Sequence, residues 1–252
     1  MNLNYIECKN VSFSYENGVE VLKDISMKVE NNQSVGIIGA NGVGKSTLLR
    51  ILIGLELNFT GQVEVDEIAV SKKSLSEIRA KVGYLFQNSD NQLFTQTVYD
   101  DVAFALRNYG LDEKLVKERV ETSLDALDIA YLRDKKIYKM SGGEKKMASI
   151  ATILAMNPGI ILLDEPSIAL DPKNRRTIIN TLNRMDYIKI IASHDLDMIL
   201  ETCDKVLLMS EGRIICEGDT EEILRDKELL EANSLELPLC LGGYRRREMI
   251  DM

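Results

Sequence analysis

The stretch SVGIIGANGVGKSTLLRILIGL, residues 34–55, constrains the fold more than any other part of this 252-residue chain. A short, uniformly apolar run leads into GANGVGKST at 39–47, which is followed by the apolar LLRILIGL. Such a run is expected of a parallel strand buried on both faces, and the segment after the loop of a helix. The loop fits G-x-x-x-x-G-K-[ST], with Gly39, Gly44, Lys45 and Ser46 at the fixed positions. Glycines let backbone amides turn inward around phosphate oxygens, the lysine neutralises the outer phosphates, and the serine hydroxyl suits Mg²⁺. At an average glycine usage of ~7%, the pattern arises by chance in only about 1% of chains this long, so an incidental glycine turn is a poor explanation.

Two more runs share the texture of SVGII: GIILLD at 159–164 and IKIIAS at 188–193. They predict further parallel strands beside it. The N-terminal part differs, since YIECKNVSFSY, VLKDISMKVE and GQVEVDEIAV alternate apolar and polar residues and so predict a small antiparallel sheet. Between the first two parallel strands, Val116, Val120, Leu124 and Leu127 recur at helical spacing and line one face of an amphipathic helix. The expected fold class is therefore α/β, a mostly parallel core with an N-terminal antiparallel β subdomain and an inserted helical subdomain.

Composition removes several other classes. With 45% hydrophobic residues the chain can bury a proper core, and no apolar run reaches the ~18 residues that span a bilayer. The start MNLNYIECKN lacks the order of a signal peptide. Four scattered cysteines and one histidine give no zinc spacing and are expected to be reduced thiols. A net charge of -9 argues against nucleic acid, although the arginines at 245–247 form one short basic cluster.

Chemistry gathers at two more places. Asp164 and Glu165 close the run IILLDEPS. Adjacent acids at a strand end face different directions, so Asp164 can hold Mg²⁺ through water while Glu165 polarises the water that attacks a terminal phosphate. At 140–145, MSGGEK carries Ser141 and Glu144 in S-x-x-E spacing, a capping box that starts a helix. The same exposed amides, with Gly142 and Gly143 beside them, can also receive a phosphate.

GANGVGKST, MSGGEKK, IILLDEPSIALD and ASHD, in that order, resemble the ATP-binding cassette (ABC) family of transporter ATPases over roughly residues 5–218. The resemblance implies a P-loop NTPase core that binds ATP with Mg²⁺ and hydrolyses it. It implies nucleotide contacts from Tyr15, stacking on adenine, and from Gly39, Asn41, Gly42, Gly44, Lys45, Ser46 and Thr47. It makes Glu165, His194 and Gln87 the catalytic set, with His194, the only histidine, bonding the terminal phosphate, and Ser46, Gln87 and Asp164 the Mg²⁺ ligands. Ser141, Gly142, Gly143 and Glu144 would cover the nucleotide of a partner subunit, and Asp171 would lie in the loop crossing the dimer interface.

The segment LFQNSDNQLFTQTVYDDVAFAL, residues 85–106, is similar to the energy-coupling factor ATPases of vitamin and metal-ion importers. LDPKNRR, SHDLDMILETCD and LLEANSLELPLCL are most similar to those of cobalt or nickel importers. This implies three partners at the cytoplasmic face of the cell membrane: a transmembrane coupling subunit, a substrate-specific membrane subunit and a second ATPase subunit, with a homodimer favoured. The expected division is an ATPase domain over 1–218, with the helical subdomain at about 89–157, and a helical tail over 219–252. Met140, Glu144, Met147 and Ile168 depart from the commonest pattern and bear on rate and dimer geometry. Alternatives are a vitamin importer ATPase, a soluble cassette ATPase of DNA repair or translation, and a nucleotide-gated scaffold.

Overall fold

The computed structural model describes residues 5–16, 18–30 and 32–242, so the arginine cluster at 245–247 lies outside it. In chain order the elements are β1 (Tyr5–Ser14), β2 (Glu20–Glu30), β3 (Ser34–Ile38), α1 (Lys45–Leu52), β4 (Phe59–Val65), β5 (Ile68–Ala69), α2 (Leu75–Lys81) and β6 (Val82–Leu85). Three helices follow, α3 (Val98–Asn108), α4 (Glu113–Ala126) and α5 (Gly142–Met156). The chain then runs through β7 (Ile160–Asp164), α6 (Pro172–Asn183), β8 (Ile188–Ala192), α7 (Leu196–Thr202), β9 (Lys205–Ser210), β10 (Arg213–Asp219), α8 (Thr220–Arg225) and α9 (Lys227–Ala232).

The strands form two sheets. The alternating N-terminal segments pair antiparallel in the order β2-β1-β4-β5, as their pattern predicts. The apolar runs build a six-stranded sheet, β10-β9-β3-β8-β7-β6, parallel throughout except for the β9/β10 edge.

Alternation along the parallel strands explains their unbroken apolar character. Val35 and Ile37 of β3 and Ile160 and Leu162 of β7 face the first sheet and α1, where Leu48, Leu49, Ile51 and Leu52 are buried. Ile38, Ile161 and Leu163 face the other way, into a core shared with α3 to α7. Each strand thus fills two cores, and the buried polar exception in β8, Lys189, is satisfied by donating to the Leu182 and Met185 carbonyls at 3.0 Å each.

The helices between β6 and β7 carry the amphipathic stripe expected from sequence. Val116, Val120, Leu124 and Leu127 are all 0–1% exposed. Thr97 caps α3 by accepting from the Asp100 amide, and Asp112 caps α4 by accepting from Lys114 and Leu115. Of the expected helical tail, the described part is helical in α8 and α9, beyond which residues 233–242 run without a helix.

Register brings the loops together. Ala192, the last residue of β8, is level with Ile37 of β3 on one side and Asp164 of β7 on the other. The segments after β3, β7 and β8 therefore leave the sheet at one height, along its carboxyl edge, where open α/β sheets hold their ligands.

Candidate active site

The loop after β3 closes on itself through Lys45. Its ammonium, almost fully buried, donates to the carbonyls of Gly39 at 2.7 Å and Ala40 at 3.1 Å. Burial pushes this ammonium down from its ordinary value, against the opposing charges of Glu165 and Asp164. Gly39 has φ +146°, and a Cβ there would lie 2.2 Å from the Met209 carbonyl oxygen, so no side chain fits. Gly44, at φ +106°, precedes α1 and offers no side-chain cap, which leaves the first amides of the helix free for an anion. Asn41 and Gly42 are exposed at the crown of the loop, and Thr47 is buried below it, 3.1 Å from the Tyr15 hydroxyl. Tyr15 packs edge-on against Phe13, with centroids 4.8 Å apart, and its hydroxyl contact to Thr47 sets it beside the loop.

Ser46 turns its hydroxyl across the sheet edge and donates to Asp164 Oδ1 at 2.8 Å. Burial raises the Asp164 carboxyl above its usual value, and the Ser46 hydrogen bond opposes the shift. A hydroxyl and a carboxylate meeting in a site otherwise rich in phosphate-directed amides are the oxygen donors Mg²⁺ prefers, so these residues fit that ion.

Glu165 lies next to Asp164 but is held differently. Its backbone is left-handed, φ 51°, and its amide donates to the Ala192 carbonyl at 2.8 Å. Its Oε2 accepts from His194 Nδ1 at 2.7 Å, from Ser193 Oγ at 3.2 Å and from the His194 amide at 3.3 Å. The carboxylate is buried, while the His194 ring is 57% exposed. An imidazole that donates through Nδ1 turns Nε2 outward, towards whatever binds the loop.

The signature residues form a separate place. Ser141 and Glu144 make a complete capping box at the start of α5. The Glu144 carboxylate also accepts from Lys135 Nζ at 2.7 and 2.8 Å, and this hydrogen bond holds it below the usual carboxylate range. Glu144 is thus turned back onto its own chain rather than presented as a free acid. Ser141, Gly142 and Gly143 line a cleft of about 460 Å³ with Asp171 and Asn174. Asp171 caps α6 by accepting from Asn174. Among the described residues, no hydrogen bond links this cleft to the phosphate loop. Gln87, exposed just after β6, is the third component; its carbonyl accepts from Lys146 Nζ at 2.7 Å.

Four neighbours of these residues carry no role in the motif reading, although Lys146, Arg175 and Ser193 lie inside MSGGEKK, LDPKNRR and ASHD. Ser193 joins the clamp on Glu165, and the Tyr84 hydroxyl stands 3.5 Å from Asp164 Oδ2. Arg175 forms a two-pronged bond with Asp195, the residue after His194, at 2.7 and 2.8 Å. Lys146 is 2% exposed. The place of Lys146, Arg175 and Ser193 in those stretches, with Ser193 beside His194, is the sequence signal that could have drawn attention to them; Tyr84 has none.

The description ABC transporter matches residues 22–168, more than half of the chain. The energy-coupling factor transporter ATP-binding protein EcfA of Carboxydothermus hydrogenoformans is 42% identical, with 96% of this chain and 90% of that one covered. Its namesake from Methanothermobacter thermautotrophicus is 43% identical, covering 97% and 80%. Among solved structures, cbiO1 of Clostridium perfringens, described as part of the ABC transporter complex cbiONQ, matches with a TM-score of 0.79 at 35% identity, covering 93% and 96%. A dimeric ATP-binding cassette in a post-hydrolysis state with ADP and Pi matches at 0.80 and 26% identity, covering 85% and 98%. With the phosphate loop, the acid pair and the histidine gathered at one sheet edge, the chain belongs to the ABC transporter family and is an ATPase that uses ATP with Mg²⁺.

Proposed function

We propose that this chain is the ATP-hydrolysing subunit of an energy-coupling factor importer whose cargo is cobalt or nickel ions. The observation that carries the importer reading is a pair of exposed aromatic side chains on α3 and the loop before it. Phe94 is 66% and Phe104 42% exposed, and the rings meet edge to face with centroids 4.7 Å apart. The buried Asp101 carboxylate accepts from the amides of Phe94 and Thr95 and so fixes the loop that presents Phe94. Solvent-facing aromatics on a loop held this firmly favour a protein partner over chance exposure. They lie in the segment that resembles the coupling-subunit face of energy-coupling factor ATPases.

The cargo reading rests on the likeness to cbiO1 and on the resemblance of LDPKNRR and the residues around His194 to metal-importer ATPases. Residues 1–218 serve as the ATPase domain, with about 89–157 as its inserted helical part and 219–252 as a tail. Among the described residues no helix is long and apolar enough to cross a membrane, and the proposed seat is peripheral, on the cytoplasmic face.

In the proposed cycle the phosphate loop and Lys45 hold the phosphates while Tyr15 stacks on the adenine. Ser46, Asp164 and Gln87 hold Mg²⁺, which supplies neutralising charge at the phosphate oxygens. Glu165 takes a proton from the attacking water. His194 keeps Nδ1 on Glu165 and directs Nε2 to the terminal phosphate. Ser141 to Gly143 and Asp171 act on the partner copy of a homodimer, while Glu144 holds the start of α5 on its own chain.

Purification from native membranes followed by mass spectrometry tests the assignment. A coupling subunit recovered with a metal-type substrate subunit is the expected result. A vitamin-type substrate subunit would replace the cargo, and recovery with DNA-repair or ribosomal proteins instead of any membrane subunit would overturn the importer reading.

A further inference from the structure

Lys146 is one of the least exposed large side chains of the molecule, at 2%. A buried ammonium is costly unless its donors are used. Here they reach from α5 to the backbone of the Gln87 loop: Nζ donates to the Gln87 carbonyl at 2.7 Å and the Phe86 carbonyl at 3.3 Å. Burial pushes the ammonium down to about 8, and the nearby charges of Asp164 and Glu165 oppose that shift.

Two further side chains bind the same loop to the same helix. Gln92 accepts from the Phe86 amide at 3.3 Å through Oε1, and its Nε2 donates to the Ser149 carbonyl and to Thr152 Oγ1 at 2.8 Å each. Lys145 pairs with Asp90 at 2.6 Å. Both backbone polar groups of Phe86 and the carbonyl of Gln87 are thus engaged, directly or through Gln92, with α5, the helix that begins with Ser141 to Gly143.

We infer that Lys146 is a positioning residue for Gln87, locking the loop that carries it onto the signature helix so that the two shift as one body. The inference rests on the proposed role of Gln87 at Mg²⁺. It gives the chain a physical link between the nucleotide in its own phosphate loop and the helix it offers to a partner. Any shift of the Gln87 loop towards Mg²⁺ would then carry α5 with it. A methionine of similar length would fill the space without supplying the bonds.

The test follows ATP hydrolysis by the full chain against ATP and against Mg²⁺, with Mg²⁺-free binding of a fluorescent ATP analogue as the control for folding. Lys146→Met is expected to lower kcat about tenfold and raise the half-saturating Mg²⁺ several-fold, with KM for ATP and analogue binding within about twofold. Lys146→Arg, which keeps two donors, should recover most of the rate. Lys146→Gln, too short to reach both carbonyls, should fall between and serves if Lys146→Met binds no analogue. In combination with Gln87→Ala, Lys146→Met should add little, because both act through one contact.

Wild-type kcat and Mg²⁺ dependence in Lys146→Met would overturn the inference. So would equal damage in Lys146→Arg and Lys146→Met, which points to packing alone, or independent, multiplying effects in the double variant. If Gln87→Ala leaves Mg²⁺ dependence unchanged, the role given to Gln87 fails and the link falls with it. If Gln87→Ala is impaired and Lys146→Met is not, only the link is lost.

Discussion

At Glu165 a non-glycine residue adopts φ 51°, a conformation that costs on the order of 1 kcal/mol and persists only where surroundings enforce it. The amide bond to Ala192 and the three donors on Oε2 do so, and they aim a buried carboxylate at the sheet edge. Glu165→Gln keeps the shape and loses the base. Phosphate release should therefore fall by about 10²-fold or more while ATP binding, which rests on Lys45 and the loop amides, stays within about twofold; unchanged turnover would remove Glu165 from the role. Beside it, burial alone would push the Asp195 carboxyl up, but bonds from Arg175 and the Met198 amide outweigh this and hold it below the usual range. A carboxyl depressed in the folded state stabilises above its unfolded value, near ~3.9, and ceases to do so as pH falls through the lower folded one. Asp195→Asn should thus cost about 1 kcal/mol at neutral pH, with the gap to wild type closing below about pH 4 in urea titrations. A constant gap across that range would show that the pair contributes nothing through its charge.

Among the elements, α5 carries two burdens at once. Its first turn is closed by Ser141 and Glu144 and its next turn by Lys146. Ser141→Ala removes the cap, and about 1 kcal/mol, or 2–4 °C in thermal midpoint, is the expected loss; an unchanged midpoint would mean that the Lys135–Glu144 pair alone secures the helix start. The capping box was legible because its residues are local, three apart. So were the parallel strands β3, β7 and β8, since burial on both faces leaves a largely apolar run, and so was the stripe of α4, whereas β6 and β9 did not stand out. Lys146 was not, because a lysine in a helix is solvated far more often than buried, and its acceptors come from a loop some 60 positions earlier in the chain. The edge strand β10 was equally hidden: its exposed alternation, from Arg213 to Asp219, gives no sign of which sheet it joins. On the outer side of α3, Phe104 and its neighbour Phe94 face solvent. Replacing both with serine should leave the fold within about 0.5 kcal/mol, yet markedly reduce recovery of a membrane subunit; full recovery would detach that surface from docking.

For the molecule as a whole, the proposed function turns on one chain holding two separate groups of site residues. The phosphate loop, Asp164, Glu165 and His194 share the carboxyl edge of the parallel sheet, whereas Ser141 to Gly143 and Asp171 line their own cleft. Motifs alone name both sets of residues, but their separation is a property of the folded chain, set by β-strand register on one side and by α3 to α5 on the other. In the proposed homodimer the signature of one copy would serve the nucleotide of a second copy related by a two-fold axis, and two such exchanges would close the assembly without leaving a free half-site. ATP then becomes part of the interface. Each copy carries a net charge of -9 and adds the charge of its nucleotide, so long-range repulsion opposes the dimer at low ionic strength and fades as the Debye length shortens to about 8 Å near 0.15 M salt. In sedimentation velocity, Glu165→Gln with ATP, which cannot be turned over quickly, is expected to move from monomer to dimer, and more completely at 0.15 M than at 0.01 M salt. With ADP the protein should stay monomeric. A monomer at all salt and nucleotide conditions would mean that the signature cleft serves something other than a second copy, and a dimer indifferent to nucleotide would place the interface away from both half-sites.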